Sequence, residues 1–433
     1  MAAKWTAVRI ITSKLRQSVS GVPMMSFDVA ATKKLVGNRI DSLTPKIVEI
    51  SHKIFDNPEL GLSEFKAAEL LAAELAESGF HIERNVAGLP TAFKASKGKI
   101  GNPAIGLIAE YDALPKLGHA CGHNIIAASA VGAAMGLSEL LNNVDGRIIV
   151  FGTPNEEGST AAGKGLTDLE SQVRGKIEMV KAGSFNDVDA VMEIHPYVKT
   201  TMTARFLALI PVKISFIGKP AHAAAAPEKG VNALDAVIQT YNGINALRQY
   251  LRSDVRIHGI ITEGGEAPNI VSEKASALFY LRALDERYLD EVLTKVRRCA
   301  EGAALAAGAI LDFRPSSYSL SNMLTNSILS ETFEKNLREL GEPVEGLDDH
   351  EQLGSSDIGN VSWVVPAIHP LIAVGPRSVA IHSHEFANLT ISESGNRALI
   401  IAAKSMALTC IDLFANKDMF EKMKMEHSKA VEA

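Results

Sequence analysis

Two short segments of this 433-residue sequence carry side chains that could hold a metal ion. Cys121 and His123 flank a glycine, and residues two apart do not share a helix face, so the pair favours an extended or turning backbone. A thiolate and an imidazole held together are good ligands for zinc or a similar ion. Glu156 and Glu157 follow an apolar strand pattern and point different ways, so one can bind the ion while the other faces a water.

Three histidines extend this candidate ligand set. His195 stands before a proline after another strand pattern, whereas His382 and His384 lie near the last predicted strand. Taken alone, each suits a structural role equally well. Together with the cysteine segment and the glutamate pair, they can hold two divalent ions about 3.5–4 Å apart. The remaining carboxylate could move a proton from water to a leaving amine, which predicts metal-assisted amide hydrolysis.

The elements that must position these residues follow an α/β pattern. The polar clusters up to His195 each follow the end of a predicted strand, and in open α/β sheets that carboxyl edge is where sites are built. Asp112, two residues beyond a strand end, is placed to orient a ligand histidine, with a simple turn residue as the alternative. Helical spacing from 125 to 141, with Asn124 as the expected N-cap, places Cys121 at the positive end of a helix.

A second pattern interrupts the first between residues 209 and 320. Its order, β-α-β-β-α-β, is that of a ferredoxin-like α+β unit, which predicts a small domain inserted into a larger one. The larger domain then comprises residues 40–208 and 321–415. We expect residues 1–39 to form an N-terminal extension and residues 416–433 a charged, frayed tail.

Composition excludes several classes of protein. The chain is 46% apolar with a formal net charge of −6, which offers no basic surface for nucleic acid. Three scattered cysteines indicate a reducing compartment, and no apolar run approaches the roughly 20 residues that span a bilayer. The first 27 residues are basic and serine-rich without an acidic residue, as in a mitochondrial presequence. We therefore expect a cytoplasmic protein, or a mitochondrial matrix protein if that segment is a presequence.

Five motifs, in this order, resemble metallopeptidase family 20, the aminoacylase and carboxypeptidase group of co-catalytic metallopeptidases. The likeness is greatest to a dipeptidase branch that acts on β-alanyl-lysine and related dipeptides, and to aminobenzoyl-glutamate amidohydrolases. The motifs lie at residues 110–115, 119–123, 153–158, 194–196 and 218–223. The commoner family motif has aspartate where this chain has Asn124.

The resemblance implies a zinc-peptidase-like catalytic domain with a lid and dimerisation domain inserted into it. It assigns Glu156 as general base and Cys121 as the bridge between two divalent ions (zinc, manganese or cobalt). The implied ligands are Cys121, His123, Glu157, His195 and His382, the last favoured over His384 by the residues that follow it.

The resemblance also implies roles on the inserted domain and in the pocket. His222 would reach the active site of the partner subunit in a homodimer and steady the oxyanion. Asn269 and Arg282 would bind substrate, the arginine by gripping a terminal carboxylate. Ser356 and Asp357 would line the pocket.

The sequence therefore predicts a metallohydrolase for small dipeptides, with β-alanyl or γ-aminobutyryl groups joined to a basic residue such as lysine or ornithine. An N-acyl-amino-acid amidohydrolase is the enzymatic alternative. A catalytically silent metal-binding or ligand-binding protein is an alternative of another class, against which the intact Glu156 argues. A cysteine hydrolase using Cys121 and His123 is weaker, because that mechanism needs a third orienting group.

Overall fold

The computed structural model describes residues 28–100, 103–158, 173–202, 205–346 and 354–432. The segment that resembles a presequence lies outside the described residues. Within them, the chain forms an α/β domain with an α+β domain inserted into it, which confirms the predicted fold class.

The larger domain is built on a six-stranded sheet. Its strands are β1 (His81–Arg84), β2 (Phe93–Gly98), β3 (Ala104–Glu110), β4 (Arg147–Thr153), β5 (Ala190–Met192) and β11 (Ala367–Ile368). Their order across the sheet is β1-β2-β4-β3-β5-β11. The last four strands in that order run parallel, so their carboxyl ends meet at one edge of the sheet. Every residue of β3 is buried, as expected of a strand covered on both faces.

Helices cover this sheet, and the alanine-rich helix α3 (His123–Leu137) lies at the centre of the core. All of its residues are buried. Its glycines allow close helix packing: a Cβ on Gly136 would lie 2.4 Å from Cγ1 of Ile40, on the neighbouring helix α1 (Val29–Asp56). The other helices of this domain are α2 (Phe65–Glu77), α4 (Gly175–Lys181), α7 (Ser327–Glu339), α8 (Ile358–Ser362), α9 (His384–Thr390), α10 (Glu393–Ala415) and α11 (Lys417–Glu432).

The inserted domain has the predicted β-α-β-β-α-β order. Its elements are β7 (Ala208–Ile217), α5 (Ala233–Leu247), β8 (Arg256–Glu263), β9 (Lys274–Ala283), α6 (Glu286–Ala307) and β10 (Ile310–Pro315). The four strands form an antiparallel sheet in the order β10-β7-β9-β8, and both helices pack on one face through a separate apolar core.

Four local expectations are corrected by the structure. Asn124 is not the N-cap: that position is taken two residues earlier by Gly122, with its positive φ of 86°, and α3 begins at His123. The Asn124 amide instead donates to Oγ of Ser51 over 3.0 Å. The strand pattern that precedes His195 ends earlier, at Met192 of β5, and His195 itself begins a separate short strand, β6 (His195–Tyr197), which pairs with β12 (Leu371–Ala373).

The two ends of the described chain are also more ordered than expected. Helix α1 begins at Val29, inside the predicted extension, because Asp28 caps it and Val36 is buried. The charged tail forms α11, which buries Phe420 and Met423 against the larger domain, so its charges lie on the outer face of an amphipathic helix. By length and hydropathy α10 could cross a membrane, but most of it is buried as a core helix.

Candidate metal centre and active site

Cys121 lies at the centre of the candidate site, at the carboxyl edge of the parallel strands. Its Sγ is 3.3 Å from Nε2 of His195 and 3.4 Å from Nε2 of His382. Gly122 brings the chain from the thiol directly into α3, and a Cβ there would lie 2.3 Å from Cγ of Pro196. The glycine is therefore required both for the backbone turn and for the close approach of the segment that carries His195.

His123 is held in place by Asp112. Its Nδ1 lies 2.9 Å from Oδ1 of the aspartate, while Oδ2 accepts a hydrogen bond of 3.0 Å from the backbone N–H of Glu157. Burial by itself would raise the pKa of Asp112, but the charge and hydrogen bond of His123 outweigh it and lower that pKa. One buried carboxylate thus orients two of the proposed ligand segments, as expected of a residue behind a metal site.

The proposed ligands form two groups that share one thiol. In each group the candidate ligand atoms lie within 4.8 Å of one another. Nε2 of His123 is buried and forms no hydrogen bond within the described residues, which fits an atom whose partner is an ion. The groups are Cys121, His123 and His195, and Cys121, Glu157 and His382. Thiolate, imidazole and carboxylate are a suitable donor set for zinc, and each group leaves a position open.

The two neighbouring glutamates have different electrostatic environments. Burial, together with the charges of Glu110 and Glu157, raises the pKa of Glu156 to about 8. Burial acts on Glu157 as well, but its hydrogen bond with His382 lowers the pKa of that carboxyl. Paired carboxyls whose pKa values are pushed apart are typical of one proton carrier beside one permanently charged group. This arrangement suits Glu156 as base and Glu157 as ligand.

His382 is the histidine that reaches the cluster. It adopts a left-handed backbone conformation with φ of 60°, and its Nε2 lies 3.4 Å from Oε1 of Glu157. His384 is instead the first residue of α9 and belongs to neither group. The structure thus brings together the five ligands that the resemblance implies.

The residues expected to bind substrate lie in two different environments. His222 and Asn269 are exposed on neighbouring loops of the inserted domain, where Ala223 N donates to the Asn269 carbonyl over 3.0 Å. Within the described residues, His222 belongs to none of the groups that could hold a metal ion. Arg282 lies on β9, partly buried, and Nε of its guanidinium has no hydrogen-bond partner among the described residues.

Asp357 and Ser356 are buried at the base of the site rather than exposed in an open pocket. Both oxygens of Asp357 bind Lys176: Oδ1 lies 2.5 Å from Nζ, and Oδ2 accepts a 3.1 Å bond from the backbone N–H. The predicted contact of Asp357 with substrate stays a prediction, and its observed contact is structural.

Sequence reasoning missed a buried polar network behind the site. Lys176 is completely buried and pairs with Glu110 as well as with Asp357. Lysines are rarely buried, and no local pattern marked this one. His369 did have a signal, because Ile368-His369-Pro370 repeats the Ile-His-Pro that contains His195. The two histidine rings lie 5.4 Å apart, just beyond the paired strands β5 and β11.

Comparison with known proteins tests the resemblance directly. Residues 208–307 match a family model described as a peptidase dimerisation domain. The chain is 32% identical over 412 residues to the Xaa-Arg dipeptidase of Mus musculus, covering 91% of both chains. The chain belongs to the M20 family of metallopeptidases.

Two further comparisons are consistent with this family. One of the subunits of the p-aminobenzoyl-glutamate hydrolase of Escherichia coli is 28% identical over 477 residues, covering 92% of this chain and 95% of that one. A solved structure from Bacillus subtilis, described as a dinuclear metal-binding peptidase from the M20 family, superposes with a TM-score of 0.65. That match has 19% identity and covers 86% of this chain and 99% of the other. The protein is thus a metal-dependent M20 hydrolase that acts on amide bonds.

Proposed function

We propose that this M20 hydrolase cleaves small dipeptides in which a β-alanyl or γ-aminobutyryl group is joined to a basic residue such as lysine or ornithine. The observation that carries the proposal is the Cys121-centred ligand cluster with the buried Glu156 beside it. The relative named Xaa-Arg dipeptidase supports a basic C-terminal residue, since it aligns over 91% of this chain.

The residues around the cluster have distinct parts in the proposed reaction. When bound by Cys121, His123, Glu157, His195 and His382, two divalent ions (zinc, manganese or cobalt) would acidify a water and polarise the scissile carbonyl. Glu156 takes a proton from the attacking water as the new C–O bond forms. It then delivers that proton to the amide nitrogen as the C–N bond breaks, which releases the amine.

Asp112 acts in this scheme through the residues that it holds. Its two oxygens fix the ring of His123 and the backbone of Glu157, so both ligand segments keep their positions during turnover. A neutral replacement such as Asp112→Asn should therefore weaken metal binding, by about 10- to 100-fold for a carboxylate behind a metal ligand.

We further propose that the protein forms a homodimer through the inserted domain. The match to a peptidase dimerisation domain supports this assembly. The sheet of that domain also ends in β8, an edge strand with exposed Ile260 and Ile261, which a second copy could cover. Sedimentation velocity of the intact chain tests the proposal: a species of twice the chain mass supports it, and a monomer at all concentrations contradicts it.

An N-acyl-amino-acid amidohydrolase remains the second candidate, favoured by the alignment with p-aminobenzoyl-glutamate hydrolase over 92% of this chain. Mass spectrometry of products separates the two candidates. The protein is stripped of metal, reloaded with zinc, manganese or cobalt, and mixed with β-alanyl-lysine, β-alanyl-ornithine, γ-aminobutyryl-lysine, carnosine and several N-acyl amino acids.

Metal-dependent cleavage of the basic dipeptides supports the proposed function. Cleavage of only the acyl amino acids supports the second candidate. If folded, metal-loaded protein cleaves neither class, the silent binding protein becomes the better account.

A further inference from the structure

A second arginine lies beside the active site, and none of the roles described above uses it. Arg174 directly precedes α4, and its guanidinium lies against Gly158: a Cβ on that glycine would be 3.1 Å from Nη2 of the arginine. Gly158 follows Glu156 and Glu157 in the chain. Arg174 is thus adjacent to the loop that carries the candidate base and one candidate ligand.

Hydrogen bonds hold the backbone on both sides of Arg174 to that loop. The N–H of Gly175 donates to the Pro154 carbonyl over 3.0 Å, and the side-chain amide of Asn155 donates to the Val173 carbonyl. The position of Arg174 relative to the glutamate loop is therefore set by the folded backbone rather than by a flexible surface contact.

Arg282 approaches the same place from the inserted domain. Ile177 of α4 packs with Leu209 and Leu320, so α4 touches the sheet face opposite to the helices of that domain. Leu209 and Arg282 are register partners on β7 and β9, and directly opposed residues point to the same face of a sheet. The Arg282 side chain consequently lies on the face that meets α4.

Neither guanidinium has an anionic partner among the described residues. Nε of Arg282 is buried and donates to no protein oxygen within that part of the chain. Burial first, and the charge of Arg174 in addition, lower the pKa of Arg282. Arg174 and Arg282 both lie where α4 meets the inserted sheet, and two partly buried cations without a counter-charge favour an anion between them, because an unpaired charge away from water is costly.

We propose that Arg174 and Arg282 form one subsite that binds the α-carboxylate of the substrate's C-terminal residue, with Arg174 as a specificity-determining residue. The inference rests on the proposed function, which supplies a substrate ending in a free carboxylate. A carboxylate has enough lone pairs to accept from two guanidinium forks at once. The catalytic domain and the inserted domain would each supply one arginine to the same group.

Steady-state kinetics of the full, metal-loaded protein test this subsite, with β-alanyl-lysine compared with its C-terminal amide. Arg174→Gln should raise KM for the free acid about 10- to 100-fold, the loss expected for a charge-assisted hydrogen-bonded contact. Its kcat should change much less, and the preference for acid over amide should fall by a similar factor. Arg174→Lys should recover part of the affinity. Arg298→Gln, an exposed position on α6, is the matched control and should behave as wild type.

Two results would overturn the subsite. One is an Arg174→Gln enzyme with unchanged KM, and the other is a wild-type enzyme that cleaves acid and amide equally well. If the wild type cleaves no dipeptide, the proposed function fails, and calorimetric binding of free lysine to the metal-loaded protein decides the inference independently. Binding that weakens in Arg174→Gln but not in Arg298→Gln supports the subsite, whereas equal binding, or none, contradicts it.

Discussion

The Cys121 cluster and the loops that carry His222 and Asn269 differ in their exposure to solvent. We call these two residues of the inserted domain the insert tip. The cluster is assembled within one chain from side chains that already approach one another, and all of them except the exposed His382 are buried or partly buried. The insert tip is exposed, and within the described residues its histidine belongs to none of the candidate ligand groups. One chain thus brings the proposed metal ligands together, while the proposed oxyanion residue is not part of that cluster.

The largest expected effect concerns Glu156, which lies beside the Cys121 cluster. Glu156→Gln should lower kcat about 10²- to 10⁴-fold, because the amide cannot take a proton from water. Metal content, measured by mass spectrometry of the elements, should stay at the wild-type value. The exposed Glu83→Gln is the control and should keep full activity. Substantial turnover by Glu156→Gln would remove the residue from the role of base.

The second prediction tests whether the insert tip acts across subunits. His222→Asn should lower kcat about 10²- to 10³-fold, the loss expected for one oxyanion donor, without loss of metal. Mixing this variant with Glu156→Gln and allowing subunits to exchange should restore activity. In such a mixed dimer, one site combines an intact Glu156 with an intact His222 from its partner. Recovery absent from a confirmed mixed dimer would place both residues in the same subunit's site.

A smaller effect concerns Glu64, whose carboxyl group holds the backbone next to Glu156. Glu64 accepts bonds from the backbone N–H groups of Leu62 and Asn155 and from the hydroxyl of Thr91, and burial with the charge of Asp112 raises its pKa to about 7. A raised carboxyl pKa contributes stability that is complete below about pH 4.5 and is lost as pH rises through about 7.

In the Glu64→Gln variant, the free energy of unfolding should therefore depend less on pH in this range. The free energy of unfolding of the variant minus that of wild type should increase by up to about 3 kcal/mol as the pH is raised from 4.5 to 8. Denaturant unfolding of both proteins at constant metal concentration measures the difference. Parallel profiles would show that Glu64 titrates normally in the folded protein.

The smallest effects come from a pair of glycines, one beside the Cys121 cluster and one on α6 of the inserted domain. Gly122→Ala should destabilise the protein by at least about 1 kcal/mol and disturb metal binding, since φ is 86° and Pro196 leaves no room for a Cβ. Gly302→Ala, on α6 with nothing within 4 Å, should stabilise it by about 0.5–1 kcal/mol. Thermal unfolding compares them, and a stabilised Gly122→Ala protein would contradict the close approach.

The same comparison shows what the sequence could predict. Hydrophobic periodicity predicted the helix that becomes α3, the strands that precede the polar clusters, and the inserted β-α-β-β-α-β unit. It could do so because the spacing of apolar residues shows which face of an element is buried. It also placed Cys121, His123 and the glutamates at strand ends, where parallel strands bring them together. Element ends were less predictable: α3 begins after Gly122 rather than at Asn124, since a left-handed glycine replaced the side-chain cap.

Contacts between residues that are far apart in the sequence could not be predicted. Lys176 meets Asp357 from 181 positions away, and neither residue has a local pattern that announces the other. Arg174 gave no signal for the same reason, as its importance depends on where α4 meets the inserted sheet. His369 was predictable in principle from its repeated Ile-His-Pro motif.

The most direct test of a metal centre bridged by Cys121 is to compare the metal content of wild type and Cys121→Ser by elemental mass spectrometry. Circular dichroism of the same samples is the control for folding. The account predicts two divalent ions per wild-type chain and a clear loss in the variant at retained fold, because Cys121 belongs to both ligand groups. Cys299→Ser, a partly exposed free cysteine of the inserted domain, should keep wild-type content. Full occupancy in Cys121→Ser would contradict a thiolate-bridged metal centre.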